Sequence, residues 1–331
     1  MSEFWSGKRV LVTGAGGFIG SHLVETLLHG GAQVRAFIRY NARNDPGLLA
    51  LLKRQDFEAL ELVTGDLRDA DAVRQAVTGV SHVFHLGALI AIPYSYLHPV
   101  EVVESNIIGT LNVLLAARDL GVERLVHTSS SEVYGSALRV PIDEGHPLQG
   151  QSPYSASKIG ADKLAESFYC SYNLPVVTLR PFNTFGPRQS ARAVIPTMIT
   201  QALTGSTIRL GNLDTRRDFT YVSDTVAGFL KVAAAPGVEG QTINLGTGSD
   251  VRIGDLAEQI IAMLDHPAEI VIENQRLRPE KSEVQRLISD NRLALETLGW
   301  SPQVGIEEGL RRTFEWIREN LSRYITDRYV V

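Results

Sequence analysis

Short apolar runs that alternate with segments of helical periodicity dominate the first half of the chain. The apolar runs cover residues 9–13, 33–38, 60–64, 82–86, 124–127 and 175–180. Between them, apolar residues recur every three or four positions over residues 21–28, 69–77, 100–119 and 155–169. Buried strands that alternate with amphipathic helices are typical of a parallel sheet with helices on both faces. The pattern therefore predicts an α/β fold with a doubly wound parallel sheet.

The pattern changes after residue 182, where the elements become smaller and loops become more frequent. Helices are predicted at 193–203, 253–264 and 305–321, strands at 207–210 and 242–246, and the start of a helix at 220–224. We predict a sheet domain over residues 1–182 and a smaller α/β lobe, mainly residues 183–331, at the carboxyl edge of the sheet. Parts of residues 220–247 are expected to return to the first domain.

Composition and charge narrow the class of protein. The chain has 331 residues, of which 44% are hydrophobic and 21% charged, which is ordinary for a globular protein. A formal net charge of −5 gives no basic surface for nucleic acid and no polybasic patch for a membrane. No apolar run approaches the roughly 18 residues of a membrane span, and the N-terminus has no apolar signal core. We expect a cytoplasmic protein without nucleic-acid or membrane partners.

The cysteine and histidine positions argue against a disulfide and against a metal centre. Cys170 is the only cysteine, so neither an internal disulfide nor a cysteine-built zinc site is expected. Its position in an apolar helical pattern predicts a small core residue. His82, His85 and His127 lie in strand runs without a carboxylate constellation, as core histidines commonly do. No metal is expected.

A glycine-rich turn follows the first predicted strand immediately. Its glycines Gly14, Gly17 and Gly20 are spaced three apart and lead into the first predicted helix. Gly14 would permit a tight turn, Gly17 would let the backbone approach a pyrophosphate, and Gly20 would let the helix pack on the strand. Strand, glycine turn, helix and strand in this order predict a dinucleotide site that includes Phe18 and Ile19.

Tyr154 and Lys158 are four residues apart in a predicted helix, so both side chains point from one face. A lysine ammonium beside a phenol favours its ionisation and would lower its usual pKa of about 10. Just upstream, a strand run ends in the hydroxyls and the carboxylate of Ser130, Ser131 and Glu132. Ligands bind at the carboxyl ends of strands in open parallel sheets. Together these five residues resemble the Ser-Tyr-Lys catalytic site of the short-chain dehydrogenase/reductases, with Glu132 as an additional acid or base.

These stretches together resemble the extended short-chain dehydrogenase/reductases, in particular the nucleotide-sugar epimerase/dehydratase family. Three features carry the resemblance over nearly the whole chain: the glycine spacing, the Ser-Tyr-Lys set and the segment Arg216-Arg217-Asp218-Phe219-Thr220-Tyr221-Val222-Ser223-Asp224. The resemblance implies that residues 1–182 bind NAD(P)+, tightly held and recycled, and that the second lobe binds a nucleotide sugar. It also implies a homodimer formed through the helices at 100–119 and 155–169.

The resemblance assigns further residues to the cofactor. Asp66 and Leu67 match the superfamily's adenine-contacting turn, and the segment of Leu86 and Ala88 would pass the ribose and nicotinamide. Asn106 matches a structural asparagine that supports the active-site backbone.

The residue that ends the second strand bears on the choice between NAD and NADP. A carboxylate there binds the ribose 2′-hydroxyl, whereas this chain has Arg39, which favours NADP or poor discrimination. Asp45 or Asn41 in the following loop could supply the polar contact instead. The choice between NAD and NADP stays open.

The substrate residues follow from the same resemblance. Arg217 matches an arginine that faces the sugar-nucleotide diphosphate, and Arg278 lies where the family often has a second phosphate arginine. Bidentate pairing of guanidinium with phosphate gives the physical reason. Asn183 would hydrogen-bond a phosphate or sugar oxygen, and Arg188 and Arg192 would serve the diphosphate or the base. Each of these could instead be a solvated or structural residue.

Glu132 separates the reactions of the family. In the shared first step Tyr154 takes the proton of the sugar 4-hydroxyl while C4 gives a hydride to the nicotinamide, and Ser130 hydrogen-bonds the same oxygen. Typical 4-epimerases carry no carboxylate two positions after the serine. A carboxylate there can remove the acidified C5 proton and expel the C6 hydroxyl, after which hydride returns to C6. The residues therefore favour a 4,6-dehydratase.

Ser131 departs from the Asp-Glu pair of many glucose-type dehydratases and resembles the GDP-mannose dehydratase version. Either Glu132 protonates the leaving hydroxyl itself, or Ser131 relays the proton through water. Residues 149–158 and 187–196 resemble dehydratases of the legionaminic-acid type, which implies GDP- or UDP-N-acetylglucosamine as substrate. The alternatives are a 4-epimerase, in which Glu132 is structural, and a non-catalytic NAD(P)-binding regulator.

Overall fold

A computed structural model of the chain describes residues 2–325, in which helices and strands alternate. The helices are α1 (Ser2–Trp5), α2 (Phe18–His29), α3 (Arg54–Glu58), α4 (Ala70–Val77), α5 (Ile92–Leu97), α6 (Pro99–Val103), α7 (Gly109–Leu120), α8 (Pro153–Tyr172), α9 (Val194–Thr204), α10 (Val222–Ala234), α11 (Ile253–Ile261), α12 (Arg292–Leu298) and α13 (Ile306–Glu319). The strands are β1 (Arg9–Thr13), β2 (Gln33–Arg39), β3 (Glu61–Gly65), β4 (His82–His85), β5 (Arg124–Thr128), β6 (Val176–Pro181), β7 (Asn183–Phe185), β8 (Thr207–Leu210), β9 (Arg216–Arg217), β10 (Phe219–Tyr221), β11 (Thr242–Leu245), β12 (Val251–Arg252), β13 (Glu269–Ile272) and β14 (Arg286–Leu287).

Seven parallel strands form the central sheet in the order β11-β6-β5-β4-β1-β2-β3. Strand β1 lies in the middle of the sheet, β2 and β3 follow on one side of it, and the chain then crosses to β4 on the other side. The strand order therefore reverses between β1 and β4, and in doubly wound sheets a ligand binds outside the carboxyl ends of the strands at such a point. The prediction of a doubly wound parallel sheet is confirmed.

The composition of β1 explains why its run is apolar throughout. Val10 and Val12 pack with α2 and α10 on one face of the sheet, whereas Leu11 packs with α4 and α7 on the other. All three side chains are fully buried. Successive residues of a strand point to opposite faces, so a strand covered on both sides needs an apolar residue at each position.

The second half of the chain contributes both to the central sheet and to smaller sheets. Strand β11, within the segment 220–247 that was expected to return, pairs with β6 at the edge of the central sheet. The remaining strands form three small sheets, which are β7 with β10, β8 with β13, and β12-β9-β14. The division into domains at residues 182 and 183 stays a prediction, and the segment 326–331 of the second lobe lies outside the described residues.

The predicted helix at 100–119 is longer and less regular than its sequence pattern indicates. Helix α6, a π-helical segment (Glu104–Ile108) and α7 follow one another without a break. The resulting Pro99–Leu120 helix is long and apolar enough to span a membrane, with a mean hydropathy of 1.4 in an 18-residue window, which the sequence analysis did not identify. It packs against α4 and α8, and 44% of the window is buried.

The structure bears on the predicted burial of Cys170 and on the expected absence of a metal site. Cys170 is exposed, so the prediction of a core residue is wrong: helix α8 turns this position towards solvent. Within residues 2–325 no group of three or more His, Cys, Asp or Glu side chains is arranged to hold a metal ion.

Candidate active site

The glycine turn lies between β1 and α2, at the point where the strand order reverses. Gly14 has a φ of +69°, a conformation that favours glycine, and a Cβ on it would lie 2.8 Å from the Gly87 nitrogen after β4. A Cβ on Gly20 would lie 2.3 Å from the Gly14 carbonyl oxygen. Both glycines are therefore required by close backbone contacts.

Gly17 is the N-cap residue of α2, and no side chain caps this helix. A Cβ on Gly17 would meet only the Gly14 carbonyl oxygen within 4 Å, and Phe18 and Ile19 behind it are half-buried. Uncapped N–H groups at a helix start, next to a turn open to solvent, fit the pyrophosphate of a dinucleotide. These residues of the chain would hold the cofactor's phosphates.

Charged pairs surround the carboxyl ends of β2 and β3. Arg39 lies 3.3 Å from Glu101 of α6, and Asp66 accepts hydrogen bonds from Arg68 at 3.0 and 2.7 Å. The hydrogen bonds from Arg68 lower the pKa of Asp66 to about 2. The capping of α4 belongs to Asp69, whose side chain accepts from the first backbone N–H groups of the helix. Arg39 and Asp66 are thus both already paired with charged neighbours.

The loop after β4 is fixed from two sides. The Thr13 hydroxyl of β1 accepts from the Gly87 N–H at 3.0 Å, between Leu86 and Ala88. The Leu67 side chain also packs closely on Gly87, because a Cβ there would lie 2.7 Å from the Leu67 Cδ1 atom. The loop that we predict to pass the ribose and nicotinamide is therefore held at the reversal point.

Asn106 of the π-helical segment connects this loop to α8. Its carboxamide accepts from the Leu89 N–H at 2.8 Å and donates to the Leu89 carbonyl and the Ser157 hydroxyl, both at 2.9 Å. These hydrogen bonds hold the backbone of Leu89 and the side chain of Ser157 in place, so the asparagine has a structural role beside the site.

A capping box sets the start of α8 and with it the register of Tyr154 and Lys158. The Ser152 side chain accepts from the Ser155 N–H and the Ser155 side chain accepts from the Ser152 N–H, with Pro153 at the first helical position. Tyr154 and Lys158 both lie on the buried face of the helix. Ser130, which follows β5, lies close enough to the Tyr154 phenol to affect its pKa.

The pKa values of the pair are governed by burial. Burial raises the pKa of Tyr154 to about 12 and outweighs the polar interaction with Ser130, which acts in the opposite direction. Burial lowers the pKa of Lys158 to about 8, against the attraction of the Asp162 carboxylate. The prediction of a net lowered phenol pKa is wrong: the pKa of Tyr154 is raised, because burial disfavours the charged forms of both groups.

A buried polar network lies behind this pair, and sequence reasoning missed it. Asp162, one turn after Lys158, accepts from the Ser129 hydroxyl at 2.8 Å and from Arg180 Nε and Nη2 at 3.1 and 2.9 Å. The His127 ring lies 3.0 Å away on the other carboxylate oxygen. Asp162 thus joins α8 to β5 and β6 directly beneath the predicted catalytic residues. The sequence contains one signal for this residue: Asp162 follows Lys158 by four positions, as Lys158 follows Tyr154, so all three lie on one face of the helix.

Charged residues of both signs lie beside the predicted catalytic residues. Glu132 lies in a 3₁₀ turn (Ser131–Tyr134) whose N-cap is Ser130, and Ser131 itself is buried. The Glu132 carboxylate lies 3.8 Å from the Arg278 guanidinium. Glu283, which sequence reasoning missed, lies 3.9 Å from Arg278 and 3.6 Å from Arg217. The structure thus brings the predicted phosphate arginines and the predicted catalytic acid together.

The other predicted substrate residues differ in their surroundings. The Asn183 side-chain oxygen is buried and has no hydrogen-bond partner within residues 2–325, so it can accept from a ligand hydroxyl. Arg188 donates to Glu25 of α2 at 2.7 Å and so ties the loop after β7 to that helix. Arg192 is exposed and its charge acts on the Tyr94 phenol of α5.

The sheet, the glycine turn and the Tyr154–Lys158 pair define an extended short-chain dehydrogenase/reductase. The family model described as GDP-mannose 4,6 dehydratase matches residues 11–313, and the chain belongs to this family. The predictions of the fold and the family are confirmed.

Relatives of known name include both dehydratases and epimerases. The chain is 31% identical over 332 residues to the dTDP-D-glucose 4,6-dehydratase of Mus musculus, which covers 96% of this chain and 90% of the relative. It is 34% identical over 324 residues to a UDP-glucose 4-epimerase of Mycolicibacterium smegmatis. This alignment covers 94% of this chain and 98% of the relative.

A solved structure supports the same class. The dTDP-glucose 4,6-dehydratase DesIV from Streptomyces venezuelae, crystallised with NAD bound, superposes with a TM-score of 0.86 at 32% identity and covers 96% of this chain and 98% of its own. The predictions of an enzyme and of an NAD(P) cofactor are confirmed. The chain is an NAD(P)-dependent nucleotide-sugar 4,6-dehydratase or 4-epimerase.

Proposed function

We propose that the enzyme is a nucleotide-sugar 4,6-dehydratase that acts on GDP- or UDP-N-acetylglucosamine. The observation that carries dehydration over epimerisation is the Glu132 carboxylate, which lies two residues after Ser130. Its charge is close enough to Tyr154 to raise the pKa of the phenol. A base at this position is needed to remove the C5 proton and has no task in 4-epimerisation.

The residues have separate tasks in this reaction. Tyr154 acts as the phenolate, takes the proton of the sugar 4-hydroxyl and becomes a neutral phenol. Ser130 hydrogen-bonds the same sugar oxygen, and the positive charge of Lys158 stabilises the phenolate before the transfer. When bound, NAD(P)+ supplies the acceptor for the C4 hydride and returns it to C6. Glu132 removes the C5 proton, and either Glu132 or Ser131 through water delivers a proton to the leaving C6 hydroxyl.

The residues near Glu132 support a nucleotide sugar as the substrate. Arg217 and Arg278 offer two guanidinium groups to a diphosphate, and the unpartnered oxygen of Asn183 offers an acceptor to a hydroxyl group. The N-acetylglucosamine part of the proposal rests on the resemblance of residues 149–158 and 187–196. Arg188 and Arg192 are less well supported as substrate ligands, because Arg188 is paired with Glu25 and Arg192 is exposed.

The proposal is tested by incubating the purified enzyme with UDP- and GDP-N-acetylglucosamine, without added cofactor, and analysing the products by mass spectrometry. We expect a product lighter by one water that retains its nucleotide. That product would identify the nucleotide and a cofactor retained through purification. Conversion of neither sugar nucleotide, with or without added NAD or NADP, would overturn the choice of substrate.

A 4-epimerase is the second candidate. The identity of 34% to a UDP-glucose 4-epimerase and the contact between Glu132 and Arg278, which a structural carboxylate could also make, favour it. It would use Ser130, Tyr154 and Lys158 in the same first step. A product of unchanged mass with altered sugar stereochemistry would support this candidate and assign Glu132 a structural role.

We further propose that the enzyme is a cytoplasmic homodimer. Helix Pro99–Leu120 packs on α8, and this face of the protein exposes apolar side chains, among them Val103 and Ile108. An exposed apolar patch on a globular protein is typical of an interface. Ile108→Glu is expected to convert a dimer into a monomer in analytical ultracentrifugation. A wild-type enzyme that sediments as a monomer would overturn this assembly.

A further inference from the structure

Four charged side chains meet where residues 277–283 approach the 3₁₀ turn at Ser131–Tyr134. Glu283 lies 3.6 Å from Arg217 and 3.9 Å from Arg278, and Glu132 lies 3.8 Å from Arg278. The side chain of Arg217 is 7% exposed and that of Glu283 12%. Two positive and two negative charges in one partly buried place balance each other. Glu283 and Glu132 are both counter-charges of the two arginines, and Glu283 is the one that lies within 4 Å of each of them.

Neighbouring residues fix the position of Glu283. The Ser282 hydroxyl donates to the Gln151 carbonyl at 2.6 Å and lies 2.6 Å from the Tyr96 hydroxyl of α5. The Gln151 side chain donates to the Lys281 carbonyl at 3.2 Å. Residues 281–283 are therefore fastened to the loop that leads into α8. This attachment places the Glu283 carboxylate beside the two guanidinium groups.

The distances between these charges exceed those of hydrogen bonds. Separations of 3.6 to 3.9 Å between nitrogen and oxygen give electrostatic attraction without a directed hydrogen bond. The Arg278 Nη1 atom is buried and has no hydrogen-bond partner within the described part of the chain. The arginine charges are thus compensated while a hydrogen-bond donor remains available. A ligand that accepts from both arginines would gain bonds that Glu283 does not make.

We propose that Glu283 is an affinity-setting residue that competes with the substrate diphosphate for Arg217 and Arg278. This inference rests on the proposed function, since it takes the two arginines as the diphosphate ligands. The carboxylate stabilises the buried charge of Arg217 before the nucleotide sugar binds, because a buried charge without a counter-charge is unfavourable. The same carboxylate reduces the attraction of the two arginines for anions and so weakens the binding of nucleotide.

The test is calorimetric titration of UDP and GDP into the wild-type enzyme and the Glu283→Gln variant. Glutamine retains the shape of glutamate and removes its charge, so we expect about tenfold tighter binding and a steeper dependence on salt. Glu280→Gln is the matched control, because Glu280 is exposed on the same segment and the change in charge is identical. Thermal unfolding supplies a second readout, in which Glu283→Gln should be less stable than wild type alone and gain more from added nucleotide.

The outcomes distinguish this inference from the proposed function. Tighter binding by Glu283→Gln and unchanged binding by Glu280→Gln would support the inference. The inference alone would be overturned if the wild type binds nucleotide and Glu283→Gln binds it equally or more weakly. It would also be overturned if Glu283→Gln and Glu280→Gln tighten the binding equally. Failure of all three proteins to bind either nucleotide would overturn the proposed function as well.

Discussion

The Glu132 carboxylate lies 3.8 Å from the Arg278 guanidinium, so the proposed C5 base shares an ion pair with a proposed diphosphate ligand. Glu132→Gln should abolish dehydration, with a loss of about 10²- to 10⁴-fold, because an amide cannot accept the C5 proton. Oxidation at C4 needs only Tyr154, Ser130 and Lys158. Rapid mixing with substrate should therefore still produce the absorbance of reduced nicotinamide, which then persists. Dehydration at the wild-type rate would assign Glu132 a structural role.

Tyr154→Phe should prevent the first step itself. The phenol is the group that takes the proton of the 4-hydroxyl, so its removal should slow the appearance of reduced nicotinamide by about 10²- to 10⁴-fold. Tyr172→Phe is the control, because Tyr172 lies exposed near the end of the same helix. Equal rates in the two variants would contradict the assignment of Tyr154.

Asp162→Asn should destabilise the enzyme strongly. The carboxylate is buried and is bonded to Ser129, His127 and Arg180, so its neutralisation leaves the Arg180 charge without its partner. Loss of one member of such a buried pair costs about 3 to 5 kcal/mol in the free energy of unfolding, which urea denaturation measures.

Glu166→Gln provides the comparison for this variant. Glu166 lies one turn further along α8, where it is exposed and paired with Lys163. Exposed pairs contribute less than about 1 kcal/mol, so this variant should unfold almost like the wild type. Equal losses of unfolding free energy in the two variants would show that the buried network around Asp162 contributes no more to stability than the exposed pair of Glu166.

Much of the fold follows from local signals in the sequence. The apolar runs at 9–13 and 82–86 match β1 and β4 within one residue, because strands covered on both faces need apolar residues throughout. The spacing of Tyr154 and Lys158 was sufficient to place both on one face of a helix. The actual start of α8 at Pro153 depends on the capping box at Ser152.

The parts of the site that sequence reasoning missed depend on contacts between distant segments. Asp162 meets partners from β5 and β6, and Glu283 meets Arg217 from β9, which no local pattern reveals. The raised pKa of Tyr154 depends on burial by the whole fold. Cys170 is misjudged for a related reason: α8 carries apolar residues on more than one face, so its buried side could not be assigned from periodicity.

Lys158 should make the stability of the enzyme depend on pH in the alkaline range. Burial lowers the pKa of Lys158 to about 8 from its ordinary value of 10.5. Between these values the unfolded chain holds a proton that the native enzyme has lost, so the free energy of unfolding should rise with pH over this window. Lys158→Met removes this contribution, and the wild type should gain up to about 3 kcal/mol relative to the variant between pH 8 and 10.5. Urea denaturation of both proteins at several pH values measures the difference, in which the contributions of other titrating groups largely cancel. Parallel pH dependences of the two proteins would contradict the lowered pKa of Lys158.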